Sequence, residues 1–283
     1  MTLAPRPRFE CPECHEAEVQ YVGGTDDART ELRCRLCDHQ WLHGGQTQVR
    51  PTSRQQPVSR DTAYGQFPTA DSVAPDIRQR VEAWKTEFLG HWPSKKAGVE
   101  EYWARYQWLF SAEGLPEADP AELKYFENSS TGAHPGNMSV FDRAWNEMGD
   151  DAAAAHLRNA IDYLLRGPAH IPVEDRLSRL IDPQDPLGMT GFRESLLTKV
   201  LCVTEPDRFI PILTYSSTGG GGKREIAQVV FDLGLPGADT TAWTRGRLAF
   251  WSNDLLLSLV GPGLIDNQHT GQFLWWAKDR GTT

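Results

Sequence analysis

Four of the five cysteines of this chain stand in two pairs, Cys11 and Cys14 in "CPEC" and Cys34 and Cys37 in "CRLC", with nineteen residues between the pairs. No other feature restricts the fold so tightly. Each pair places two thiolates where one tetrahedral ion can hold both, and four sulfurs complete its shell. The intervening segment alternates like two short strands around a Gly/Asp turn, so residues 1–45 are expected to form a small β zinc ribbon. This segment contains no lysine and is too short for a core of its own, so it should fold only with structural Zn2+ bound. Two disulfides or a redox pair are the competing uses of such cysteines, and a chain read as cytosolic disfavours both. His15 and His39 flank the knuckles but are not needed by a four-sulfur site. A closed shell leaves no position for a reacting water, so the metal is assigned no catalysis. Arg29, Arg33 and Arg35, on or beside the second strand, lean towards nucleic acid. The fifth cysteine, Cys202, lies on an apolar helical face and reads as core.

The rest of the 283 residues is long enough for a sizeable core, which ten tryptophans make aromatic. No apolar run reaches membrane length and "MTLAPRPRFE" is no signal segment, so a cytoplasmic protein without membrane contact is expected. The net charge of −9 argues against a protein that coats nucleic acid through bulk electrostatics. That excess lies wholly in residues 61–190, with twelve basic against twenty-one acidic groups, so any DNA-facing surface must be local.

Residues 46–75 are polar, proline-broken and aperiodic, and read as a linker or a strap across a second domain. From 76 to 283 the pattern is helical and the fold class is mainly α: a small β ribbon, then an all-α domain. Ile77, Val81, Trp84 and Phe88 form one stripe; Val99, Tyr102, Trp103, Tyr106 and Phe110 form another. Such spacing marks core more than a base-stacking platform. Further helices are expected after Asn137 or Ser139, over "DDAAAAHLRNAIDYLLRG", over "VEDRLSRLID", and from near Lys223 and Leu248.

"LIDPQDPLGMTGFRESLLTKVL" has the parts of a helix-hairpin-helix near 181–203. A helix ends near Ile181, Gly188 and Gly191 permit a turn, and Arg193, Thr198 and Lys199 follow on a helix. Turn amides and a helix N-terminus would then face a phosphate. The plain alternative is a helix–turn–helix joint inside an α-helical core. With the closing "PDRFIPI", the stretch from Pro168 to Gly234 resembles the hairpin region of DNA glycosylases of the oxoguanine-glycosylase fold, and equally the helical domain of McrB-like modified-DNA-recognition proteins. The resemblance implies an all-α domain that engages double-stranded, modified DNA, with Gly191, Arg193, Lys199, Lys223 and Arg224 on its backbone. The chain departs from the glycosylase pattern twice. Phe192 or Arg193 stands where strand-cutting members carry a lysine, and Leu213 follows Pro211 and Ile212 where the family places a catalytic aspartate.

"TYSSTGGGGKREI" invites a phosphate-loop reading but fails it, because Ser217 and Arg224 occupy positions that need Gly and Ser/Thr. Lys223 and Arg224 remain able to grip a DNA backbone from a solvated loop. In "SSTGAHPGNMS" and just before it, Glu127, Asn128, His134 and Asn137 either read a base edge or cap helices. Asn128, His134 and Asn137 are taken as the base pocket. Ser252, Asn253 and Asp254 interrupt an apolar helix, which costs stability unless exposed or useful. Asp254 is the candidate catalytic carboxylate, with Asn253 beside it. The sum is a zinc-ribbon DNA glycosylase that removes a modified base in phage defence, glucosylated hydroxymethylcytosine being the nearest analogy. Two alternatives stay open: a non-catalytic reader of modified DNA that recruits a nuclease, and a protein–protein adaptor.

Overall fold

The computed structural model describes residues 19–24, 30–34, 40–43, 59–94, 97–217, 219–239 and 241–282. No helix among them is long and apolar enough to cross a membrane.

The N-terminal part is a three-stranded antiparallel sheet in the order β1-β2-β3, with β1 Val19–Gly24, β2 Thr30–Cys34 and β3 Gln40–His43. Cys34 closes β2 opposite Val19, and Leu32 pairs with Tyr21 on one side and Trp41 on the other. Leu32 and Cys34 are both buried. Two strands were expected before the second cysteine pair; the third follows it. Cys11, Cys14 and Cys37 lie outside the described residues.

The remainder is mainly α. Eleven helices are described: α1 Arg60–Gly65, α2 Pro75–His91, α3 Val99–Leu109, α4 Pro120–Asn128, α5 Ser139–Met148, α6 Asp150–Arg166, α7 Val173–Ile181, α8 Glu194–Thr204, α9 Lys223–Phe231, α10 Arg245–Val260 and α11 Asn267–Gly281. A single apolar cluster runs from Ala63 to Ala277. Residues expected in a linker or strap belong to it: Ala63, Phe67 and Val73 are buried, and Arg60 pairs with Glu174 of α7 at 2.5 Å. The helical body therefore begins at α1, ahead of residue 76.

The expected stripes face inward. Val81 and Phe88 of α2, Tyr102 and Tyr106 of α3, and Leu157, Ile161 and Leu164 of α6 are all buried. Aspartates at the start of α6 and Gly167 at its end complement the helix dipole and stop the helix. The α8 helix is central: from Leu196 to Val203 every residue is buried, and it packs on α3, α6 and α7. α7 crosses α10 closely, since a Cβ on Gly246 would collide with the Glu174 carbonyl. Arg247 of α10 locks the crossing through two bonds to the Asp175 carboxylate, at 2.6 and 3.2 Å.

Candidate functional site

The turn from Ile181 to Glu194 carries the two glycines as expected, but they serve the protein's own packing. Gly191 has φ +80°, and a Cβ there would run into the backbone of Phe141 on α5. Arg193 turns back and donates to the Ile181 carbonyl, capping α7. Lys199 points into the core, where its ammonium donates to the carbonyls of Phe126 (2.6 Å) and Ser129. Lys223 is equally enclosed, with no exposed surface. Among the five positions assigned to the DNA backbone, only Arg224 is exposed, and its Nε donates to the Leu235 carbonyl at 3.1 Å. The enclosure of Lys199 and Lys223 corrects their assignment as phosphate ligands. A helix apolar on all sides sits in the core, and a lysine on it is carried inward.

The glycine-rich segment before α9 is closed by its own carboxylate. Glu225 accepts from the Gly222 and Ser217 amides, while Lys223 and Arg224 amides donate to Thr214 and Tyr215 carbonyls. Amides that a phosphate would need are already bonded. Instead this loop lies against α11: a Cβ on Gly221 would strike the Trp275 ring, and Gly220 approaches the Lys278 ammonium. Trp275 is exposed, and the Lys278 ammonium lies 5.2 Å from its ring centre. This pair was missed in the sequence, although a tryptophan and a lysine three residues apart share a helix face. A cleft of about 310 Å3 opens nearby, lined by Arg224, Glu225, Gln228, Val229, Gly234 and Leu235.

The polar triplet in α10 divides its work. Ser252 donates to the Leu248 carbonyl one turn back, at 2.6 Å. Asn253, fully buried, brackets the "PDRFIPI" segment: its Oδ1 accepts from the Ile210 amide at 3.0 Å and its Nδ2 donates to the Arg208 carbonyl at 2.8 Å. Asn253 is therefore a positioning residue. Its Nδ2 also donates to Asp254 Oδ1 at 3.2 Å, and Asp254 reaches solvent. Partial burial raises the Asp254 pKa above its ordinary 3.8, opposed by the Asn253 hydrogen bond and the Arg208 charge. Leu213 is buried apolar core.

Behind Asp254 lies a buried group of titratable side chains: Glu194, Lys223 and Cys202. Glu194 accepts from the Tyr215 amide and faces Arg245 at 3.7 Å. Burial raises Glu194 against the pull of Arg245, that amide and Lys223. Burial lowers Lys223, whose Nζ has no hydrogen-bond partner among the described residues, while Cys202, Glu194 and Asp254 oppose the shift. Burial pushes the Cys202 thiol up to about 12, and it donates to the Ile210 carbonyl. A thiol so held is inert core.

The loop from Ser129 to Met138 separates the four residues considered there. Asn128, His134 and Asn137 are exposed and bonded locally. Asn128 Nδ2 donates to the Lys124 carbonyl and to Asp142, His134 Nδ1 accepts from the Gly136 amide, and Asn137 Oδ1 accepts from the Ser139 amide. Asn137 thus meets the first amide of α5, His134 braces the loop, and Asn128 ties α4 to α5. Glu127 alone is fully buried, and neither of its carboxyl oxygens has a hydrogen-bond partner among the described residues. Compared with protein families, curated proteins and solved structures, the chain matches none.

Proposed function

We propose that this protein is a zinc-ribbon DNA glycosylase acting inside the cell: it draws a modified nucleotide out of duplex DNA and hydrolyses its N-glycosidic bond, in defence against phage. Glucosylated hydroxymethylcytosine is the candidate base. The observation that carries the reading is Asp254: a solvent-reaching carboxylate beside the Arg208 cation, on a helix that Asn253 fastens to the segment leaving the end of α8. A carboxylate so placed can stabilise the sugar cation as the bond to the base breaks. Water then adds its oxygen to C1′, its proton passes to the carboxylate or to solvent, and the base leaves with its electron pair and is protonated. Extrusion of the target is required because the reacting atoms are inaccessible in stacked DNA. On this reading Lys278, Trp275 and Arg224 supply the local cationic and stacking surface that a net-acidic chain needs. Cys11, Cys14, Cys34 and Cys37 would hold a structural Zn2+, which braces the ribbon. Cys34 suits that role, since it is buried at the very end of β2.

The test is strand scission by mild alkali after incubation with DNA carrying plain, hydroxymethylated or glucosylated cytosine. Breaks confined to modified DNA, lost in Asp254→Asn with binding retained, are expected. Breaks undiminished in Asp254→Asn would remove that residue from the chemistry. A non-catalytic reader that recruits a nuclease is the second reading. Leu213 in place of an acid favours it, and it predicts tighter binding to modified DNA without breaks.

A further inference from the structure

Glu127 is the last acidic side chain of α4 and has no exposed surface. A buried carboxyl normally collects two or more donors, because each unmet oxygen loses its hydration without replacement. Here neither oxygen has a hydrogen-bond partner among the described residues, and the Thr198 hydroxyl of α8 is likewise unmet. Lys199 does not fill that role: its ammonium donates to the Phe126 and Ser129 carbonyls, makes no hydrogen bond to Glu127, and acts on it through its charge. Burial raises the Glu127 pKa well above its ordinary 4.5, with Lys199 opposing. The neutral acid so favoured carries one O–H donor beside one carbonyl acceptor. Beside it Tyr102, Tyr106 and Phe126 form one ring cluster, with Tyr106 4.6 Å from Tyr102 and 4.7 Å from Phe126, and the Lys199 ammonium lies 4.7 Å from the Phe126 ring centre.

The cover over this group is loosely held. Ser129, Gly132 and Ala133 are buried, with Gly132 against the Tyr102 ring, while His134, Gly136 and Asn137 face solvent. Among the described residues, none from 130 to 137 makes a backbone–backbone hydrogen bond. Such a segment opens at low cost compared with the helices around it. Its inner end is tied to the site by Lys199, through the Ser129 carbonyl.

We propose that Glu127 is the recognition group of a base pocket beneath the 129–138 loop, where its carboxyl pairs with the adjacent donor and acceptor of an extruded nucleobase. Lys199 is a positioning residue that holds the loop and the end of α4 in register. This assignment rests on the proposed action on DNA, and it moves the pocket from Asn128, His134 and Asn137 to the inner side of the same loop. Base edges present the required pairs, and a site built on them rejects partners that lack them.

The experiment measures binding of the full-length, zinc-loaded protein to duplexes with one unpaired cytosine, one unpaired apolar isostere of a base, or none. Wild type is expected to prefer the cytosine bulge over the apolar bulge by about tenfold or more. Glu127→Gln keeps an adjacent donor and acceptor and should retain the preference; Glu127→Met should lose it while binding the fully paired duplex normally. Free cytidine is tested in parallel by thermal shift. Duplex binding without the preference, unchanged in Glu127→Met, would overturn the pocket and leave the DNA reading standing. A cytidine shift abolished in Glu127→Met, without duplex binding, would uphold the pocket and remove the DNA reading. Absence of both responses would overturn both.

Discussion

Lys199 and Lys223, the two lysines with no exposed surface among the described residues, solve the same electrostatic problem in opposite ways. Around Lys199 the cation is bonded to two carbonyls, and the nearby carboxyl of Glu127 is left unmet. Around Lys223 the carboxyl of Glu194 is bonded to the Tyr215 amide, and it is the cation that lacks a partner. Burial opposes the charged form in each case, bringing Lys199 down to about 8 and lowering Lys223 as well. The two regions therefore differ in what they withhold from solvent. One holds an unmet amine inside a tightly packed group of core helices. The other holds an unmet carboxyl beneath a loop with no backbone–backbone hydrogen bond among the described residues. A ligand can complete the second without dismantling the core, which is why the pocket is assigned there.

The largest effect that separates them is on stability. Lys199→Met leaves two buried carbonyls without their donor, and should destabilise by about 3–5 kcal/mol. Lys223→Met replaces an unbonded ammonium with an apolar chain of similar length, and should change stability by about 1 kcal/mol or less in either direction. Urea unfolding of both variants checks this, and equal losses would erase the distinction. Gly191→Ala should destabilise by about 3 kcal/mol, since it combines a positive φ with a collision at Phe141. A small loss there, with weakened DNA binding, would return Gly191 to the phosphate.

The pH dependence gives a smaller and sharper contrast. Glu127 is raised in the folded state, so its contribution is complete below about 4.5 and is lost as pH rises towards its folded value. Wild type should then lose stability relative to Glu127→Gln over that rising interval. Lys199 is lowered, so its penalty is absent above about 10.5, builds as pH falls from there, and is complete below about 8. A flat difference between wild type and Glu127→Gln across the acid-to-neutral range would contradict the raised carboxyl. The smallest effect concerns the surface. Arg224→Ala or Lys278→Ala should each lower the salt slope of DNA binding by about 1, while Lys223→Ala leaves it unchanged.

The same contrast marks what could be read without coordinates. Helices α2, α3 and α6 were legible because each carries one apolar stripe: Val81 and Phe88, Tyr102 and Tyr106, Leu157 and Ile161. The bond of Asn137 to the first amide of α5 was legible too, as one of two readings of a polar loop. α1 and α11 were not, since "RDTAYG" is a single turn or so and "NQHTGQFLWWAKDRG" mixes glycine and polar groups into its buried face. The enclosure of Lys199 was partly legible. "SLLTKVLCV" leaves no polar side on which a lysine could reach water, and that all-round apolarity outweighs the local preference of lysine for solvent. Glu127 was seen as a possible base reader, but only the fold shows that it points inward while its three companions point out. Lys223 was illegible. Its burial depends on α9 packing against α10 and α11, contacts between segments far apart in the chain.

The most direct measurement is the release of free base, followed by mass spectrometry, from DNA containing glucosylated hydroxymethylcytosine incubated with the zinc-loaded protein. Free modified base appearing in step with abasic sites, and none from unmodified DNA, is the predicted result. Binding to modified DNA that leaves every base attached would contradict the glycosylase and leave a reader in its place.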